Sequence, residues 1–448
     1  MPTWFHQVVR QCLALLLLCA LAGVGSCDAR NAGSGKLMLT YTRWGDPAEM
    51  ESTRELIAQF QRENPGIEVR VDVVSWEQYW QKMKTATVTN SAQDVWLMSP
   101  AYIEEYASAG HVLDLMPFIK ADPTFNVDDY FPHAFDDFCF TGEGDNLRSA
   151  TFGNGKLYAF TRDYNCSLLY YNRDYFDALG LAYPDATWTW DDLVAAARKL
   201  TIDFDGDGVI DQWGYGGLDY GAFASAIGAQ RMDIAARKSL FSSPDMLRAV
   251  TFCQDLIYRY KVHPPPFVQI NETESFVTGK LAMTVAGVWN IRSYNRSDYR
   301  WGIAPIPTDT RQRTRYAAGG GVAHCISSRC VHPEEAWKLV KFLCGDAGQR
   351  ALARSGTSVP VVKRIAMSDD FLAGFDRPPR SSIPTIFEVL ASPPAPRGYA
   401  RGYLEYTRRT TEILDLAWRN QITPTEACRR IDEQIDAILA DQYRRTAP

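Results

Sequence analysis

KLMLTYT at residues 36–42, IEVRVDVV at 67–74 and DVWLM at 94–98 are three strand-like runs, and the stretches between them, 49–64 and 76–89, carry apolar residues at helical spacing. In the first helical stretch Leu56, Ile57 and Phe60 share one face and Pro65-Gly66 ends it, whereas Ile67, Val69, Val71 and Val73 alternate as in a half-buried strand. A βαβαβ order sends each strand back parallel to the last, because a helical crossover returns the chain to the same end of the sheet. An α/β lobe with a mostly parallel sheet is therefore expected. Ligands of such sheets sit beyond the carboxyl ends of the strands. Here that means Arg43-Trp44-Gly45-Asp46 and Ser99-Pro100, so Trp44, Asp46 and Ser99 are candidate binding residues.

Outward from this lobe, 448 residues exceed what one hydrophobic core usually supports, so a second domain is expected. An apolar share of 46% and a charged share of 22% fit a folded globule. Forty-seven basic against 53 acidic residues leave a formal charge of −6, with no Lys/Arg cluster that could neutralise consecutive phosphates, so nucleic acid is not an expected partner.

At the amino terminus Arg10 precedes an apolar stretch from Cys12 to Val24 that ends in Gly25-Ser26-Cys27. The stretch falls short of the roughly 20 apolar residues of a spanning helix and suits a signal peptide over residues 1–26; a permanent anchor helix is the alternative. Gly25-Ser26-Cys27 resembles the lipobox of bacterial lipoproteins, which makes Cys27 the proposed lipidation site, residues 27–35 a polar tether, and plain cleavage the rival outcome. Cys139, Cys166, Cys253, Cys325, Cys330, Cys344 and Cys428 remain. Their odd number and lack of C-x-x-C spacing read as small buried hydrophobes with room for one or two bridges, Cys325 and Cys330 being nearest in sequence.

Further helices are signalled by Thr189 ahead of Leu193, Ala196, Ala197 and Leu200, by the stripe Ala336, Leu339, Val340 and Leu343, and by the capping box Thr423-Pro424-Thr425-Glu426 ahead of Ile431, Ile435, Ile438 and Leu439. The short proline runs at 264–266 and 393–396 read as surface loops. No H-E-x-x-H, G-x-S-x-G or phosphate-loop pattern occurs, and the six histidines are scattered, so no catalytic constellation is legible. Asp203-Phe204-Asp205-Gly206-Asp207-Gly208 spaces carboxylates as a calcium loop does, with the Val209 carbonyl and Asp211 in register. Gly214 stands where the bidentate Glu belongs, so the loop reads either as a structural Ca²⁺ site or as an Asp/Gly-rich turn.

Gly155-Lys156-Leu157-Tyr158-Ala159-Phe160-Thr161-Arg162-Asp163, followed by Leu169–Phe176, Thr187-Trp188-Thr189-Trp190-Asp191-Asp192-Leu193, Gly279-Lys280-Leu281-Ala282-Met283, Gly287-Val288-Trp289, Trp301-Gly302, Pro305-Ile306-Pro307, Gly319-Gly320-Gly321 and His332–Trp337, resembles the ordered motif series of family 1 bacterial extracellular solute-binding proteins. The resemblance spans residues 36 to 440, although Thr161 stands where proline is usual and Asn165-Cys166 where small polar residues are.

That resemblance implies a two-lobed periplasmic-binding-protein clamshell. It has discontinuous α/β lobes, residues 31–163 with 322–359 and residues 164–321 with 360–448, and a ligand cleft between them. It further implies chain crossings near Asp163, Gly320 and Pro360, and non-enzymatic capture of a sugar or oligosaccharide by hinge closure for the permease subunits of an ABC importer. A monomer is expected, without a required cofactor, tethered by a lipid at Cys27 to the outer face of the cytoplasmic membrane. Trp289 matches the aromatic that stacks on sugar rings in relatives resembling maltose-binding protein, and Asp163 the Asp at the first crossing. Tyr164, Tyr220 and the backbone at Gly320 are further candidates by position. A polyol-phosphate ligand is the rival within the binding class, signalled by arginines such as Arg43 and Arg162 in the cleft; a secreted glycan hydrolase is the rival outside it.

Overall fold

The computed structural model describes residues 35–45, 47–268, 270–311, 314–373, 382–396 and 398–444. The signal segment, Cys27 and Asp46 lie outside them.

The opening alternation folds as its periodicity dictates. Strands β1 (Leu37–Trp44) and β2 (Ile67–Val74) pair in parallel from Leu37 opposite Ile67 to Trp44 opposite Val74, joined by helix α1 (Pro47–Glu63), which turns Ile57 and Phe60 inward. Helix α2 (Trp76–Val88) leads to β3 (Val95–Met98), whose four consecutive side chains are all buried, as befits a strand covered on both faces. Two short strands that arrive later, β4 (Phe160–Thr161) and β9 (Ala323–Ile326), complete the sheet in the order β2-β1-β3-β9-β4. Both join antiparallel, so the sheet is parallel only across its first three strands. The core around it draws on residues 39–160 and 323–344.

A second sheet is built on β5 (Asn165–Asn172), flanked antiparallel by β6 (Met283–Gly287) and β7 (Trp301–Ala304) and continued by β8 (Gly319–Gly320). Along β5 the side chains divide between two cores: Leu169 and Tyr171 face one that runs to Leu439, while Cys166, Leu168 and Tyr170 face another that includes residues 359–390. The second core also takes in Ala134 and Ala353 from the segments that otherwise build the first lobe.

The helix Trp190–Lys199 starts with a reciprocal capping box between Thr189 and Asp192. At the carboxyl-terminal helix, Pro424–Arg444, only half of the expected box forms. Thr423 accepts the Glu426 amide at 3.2 Å, but the Glu426 carboxylate turns to Arg429 and Arg430, which hold it down at about pKa 2. All seven described cysteines are free thiols, six of them buried, and the Cys325–Cys330 bridge does not form.

Buried His263 carries a testable consequence. Its Nδ1–H donates to the Pro264 carbonyl at 2.6 Å and its Nε2 accepts the Gly217 amide at 3.2 Å, so the ring is held neutral, and burial pushes its pKa down to about 4. The unfolded chain takes up this proton near pH 6.5 while the folded chain does not until about 4, so stability falls as pH drops through that window. Between pH 7 and 5 the loss from this group is about 2 kcal/mol, and urea titrations of the wild type against His263→Gln should show a shallower pH slope in the variant.

Candidate functional site

The chain passes between the two sheets at three places: from β4 into β5, from β8 into β9, and between Ala353 of the first lobe's last helix and residues 359–362 in the second core. One side chain organises all three. Asp163 is wholly buried; its Oδ1 accepts the Val322 amide at 2.8 Å and Asn165 Nδ2 at 3.0 Å, while Oδ2 lies 3.3 Å from Arg162 Nη1. Asn165 Oδ1 in turn accepts the Val359 amide at 2.9 Å, and Asp163 bridges to Pro360 through the backbone. Gly319 and Gly321 let the second crossing lie directly on the first, since a Cβ on either would collide with the carbonyl of Asn165 or Asp163. The three crossing segments therefore meet around Asp163.

Beside this knot a cavity of about 800 Å³ opens between the lobes, within the range of small-molecule sites. Trp44, Trp76, Ser99, Pro100 and Asp137 line it from the first lobe; Asn165, Asp219, Arg231, Trp289 and Tyr399 line it from the second. Trp44 and Ser99 stand there because β1 and β3 end there, as the strand-end rule required. Two indoles on this wall are half exposed, Trp76 at 46% and Trp289 at 54%. Trp76 leans on Trp44 edge-to-face at 4.9 Å, and Trp44 adjoins Trp80, which stacks on Tyr102 at 3.6 Å, so the exposed face rests on a rigid aromatic base.

Trp289 folds back over Gly287, where a Cβ would collide with the six-membered ring of the indole. Gly287 must therefore lack a side chain for steric reasons, since its backbone is ordinary extended chain. Gly287→Ala is expected to displace the indole and weaken solute binding about tenfold, roughly 1.4 kcal/mol, with little change in melting temperature; calorimetric titration beside a thermal melt checks it.

Of the other sequence candidates, Gly320 lies on the wall, its backbone close enough that a Cβ would approach Asp137 Oδ2 to 3.4 Å. Tyr164 instead packs into the second lobe's core, where burial raises its hydroxyl pKa, and Tyr220 lies behind the wall beneath Arg231, 5.6 Å from ring centre to guanidinium. Arg43 is buried away from the cavity, donating to Thr53 Oγ1 at 2.6 Å and to the Trp44 carbonyl at 3.0 Å, whereas Arg162 reaches the wall beside Asp163. Trp76, Asp219, Arg231 and Tyr399 were not singled out in the sequence. Trp76 is the one with a local signal, an aromatic just after a strand end at the start of a helix. The proline run at 393–396 does more than cover the surface, since Ala395 and Pro396 line the cavity and Pro394 bridges to Ala317.

In the acidic loop one oxygen each of Asp203, Asp205 and Asp211 lies within 4.8 Å of the others, and Asp207 stands outside that group. Gly206 and Gly208 donate to Asp203 at 2.7 and 2.8 Å, Val209 donates to Asp207 at 2.7 Å, and Phe204 donates to Asp211 at 2.7 Å. The amide of Gly208 above all holds the Asp203 carboxyl below the usual range. The loop's own amides thus account for its shape, and no metal is assigned. Gly214, which takes the place of the missing Glu, packs so tightly on the helix 190–199 that a Cβ would collide with the Ala197 backbone.

The family model described as bacterial extracellular solute-binding protein matches residues 44–350. The multiple sugar-binding protein of Streptococcus mutans is 23% identical over 359 residues, covering 76% of this chain and 79% of that protein. Among solved structures, an ABC substrate-binding protein of Listeria monocytogenes in complex with cycloalternan superposes with a TM-score of 0.77 at 22% identity over 90% of this chain and 99% of that one. UgpB of Mycobacterium tuberculosis in complex with glycerophosphocholine gives 0.72 at 19% identity over 92% and 100%. At these identities the structures establish the two-lobed fold.

Proposed function

Because the chain belongs to the bacterial extracellular solute-binding protein family, we propose that its interlobe cavity captures a sugar or oligosaccharide by closure of the lobes and presents it to an ABC importer. The observation that carries this is the pair of half-exposed indoles, Trp76 and Trp289, contributed by different lobes to one cavity. An indole face covers the apolar C–H face of a pyranose, and the carboxylates and amides beside it accept and donate to the hydroxyls. A solute that touches both lobes binds the shut arrangement better than the open one, and that difference is what drives closure. The relatives named for multiple sugars and crystallised with cycloalternan support the carbohydrate class.

The capture is read as non-enzymatic. Asp163, the acid nearest a general-acid role by burial, is committed to the crossings. Thermal-shift and calorimetric screening of the protein against a broad sugar panel tests the proposal. At least one mono- or oligosaccharide should raise the melting temperature and remain uncleaved after prolonged incubation. Binding confined to peptides or free metals, or turnover of a bound glycan, would overturn it.

Export follows from the family, and no helix among the described residues is long and apolar enough to cross a membrane. The lipid anchor at Cys27 belongs to this proposal. Cys27→Ser is expected to move the protein from the membrane to the soluble fraction and to abolish incorporation of labelled palmitate.

A further inference from the structure

Among the described residues two arginines line the cavity, and they are held differently. Arg162 is paired with Asp163 at 3.3 Å. Among the described residues Arg231 makes no ion pair with a carboxylate and donates no hydrogen bond; what it has is the ring of Tyr220 beneath it, 5.6 Å from centroid to guanidinium. Asp219 shares that wall and its charge acts on Arg231 without closing an ion pair; its Oδ1 accepts the Ala222 amide at 2.9 Å, which caps the helix Tyr220–Ala226.

Two glycines make the slot in which Arg231 lies. A Cβ on Gly221 would collide with its Nη2, and one on Gly398 would come within 3.2 Å of its Cδ. A guanidinium is a planar fork that matches the paired oxygens of a carboxylate or phosphate, and one held at a partly desolvated wall costs free energy until such a group or water meets it.

Its position along the cavity matters as much as its charge. Tyr399, next to Gly398, lines the cavity and lies 5.4 Å from Tyr403, which lies 5.4 Å from Tyr102 of the first lobe. Behind this aromatic seam Tyr443 donates to Glu104 at 2.7 Å and Arg401 approaches Glu104 at 3.7 Å, so the lobes are joined at the Arg231 end. A solute that reaches Arg231 ends there.

We propose that Arg231 receives a terminal oxyanion of the captured solute, a carboxylate or phosphate monoester, so that the preferred ligand is an acidic sugar or polyol. The proposal rests on solute capture in this cavity and narrows its class.

Calorimetric titration of the whole protein with matched pairs tests it: hexoses with their uronates, hexoses with their phosphate monoesters, and glycerol with its phosphate monoester. The expected result is that the acid of at least one pair binds about tenfold or more tightly than its neutral partner, that raised salt shrinks the gap, and that Arg231→Gln abolishes it while Arg231→Lys keeps part of it, because the charge survives without the fork. Melting temperatures report whether each variant is folded. Which pair shows the effect separates a carboxylate from a phosphate. Neutral members binding as tightly as their acids, or an acid preference that survives Arg231→Gln, would overturn the assignment while leaving solute capture intact. Failure of every member of every pair to bind would overturn solute capture, and this inference with it.

Discussion

Asp163→Ala is expected to lower the unfolding free energy by about 3–5 kcal/mol, the range for stripping one partner from a buried, charged network. The substitution removes the acceptor of the Val322 amide and of Asn165 Nδ2 and the carboxylate beside the Arg162 guanidinium, at a residue that is itself fully buried. Asn165 is in turn the acceptor for Val359, so the loss spreads from the first two crossings to the third. Asp163→Asn preserves one carbonyl oxygen for Val322 and should cost roughly half as much. Urea unfolding followed by circular dichroism measures both. The same experiment separates two roles for this residue. A ligand-contacting carboxylate would leave stability unchanged and weaken binding, whereas a carboxylate that ties the crossings together loses stability first. A loss below about 1 kcal/mol for the alanine variant would count against the structural role.

Trp289→Ala should do the reverse, weakening solute binding about 100-fold, some 2.7 kcal/mol, while the melting temperature moves little. The indole is 54% exposed and contributes its face to the cavity more than to the core, so its removal opens no buried void. What is lost is the apolar area that a sugar ring would cover, together with the shape of that wall. Trp76→Ala should weaken binding less, about tenfold, and also cost some stability, because its ring is packed on Trp44 and Trp80 at 4.9 and 5.7 Å. Calorimetry gives the affinities, and the intrinsic fluorescence change on binding should shrink in both variants. Unchanged affinity in Trp289→Ala would remove the stacking role from this residue.

The two outcomes share a physical basis. The cavity wall and the crossings are adjacent, but their residues answer to different demands. Asp163 is expected from its motif position to contact the ligand; it lines the cavity, and its burial and hydrogen bonds also tie the crossings together. Trp289 was read the same way and stands exposed in the cavity. Motif position alone could not separate these cases, since both residues lie where the lobes meet and only accessibility distinguishes them.

Much of the fold was legible because it is local. The alternation in 67–74 and the helical spacing in 76–89 demand their elements whatever surrounds them, and the boundaries fell within two residues of the periodic pattern. Strand ends followed from the same order, which is how Trp44 and Ser99 were found. Sheet composition beyond β3 was not legible, since the strands β4 and β9 that complete the first sheet begin only at Phe160 and Ala323, far along the chain from β3 at Val95.

What the sequence by itself determined is therefore the opening run of elements and the ordered motifs. Each is a property of spacing along the chain. Tertiary structure alone decided which side chains meet. It brought Asp219, Arg231 and Tyr399 to a wall opposite Trp76 and Asp137, withdrew Tyr164 and Arg43 into the interior, and gave Asp163 to the hinge. Such residues lie far apart in sequence and carry no local signature, because what selects them is the free space and the unpaired charge left when two independently built cores close on one another.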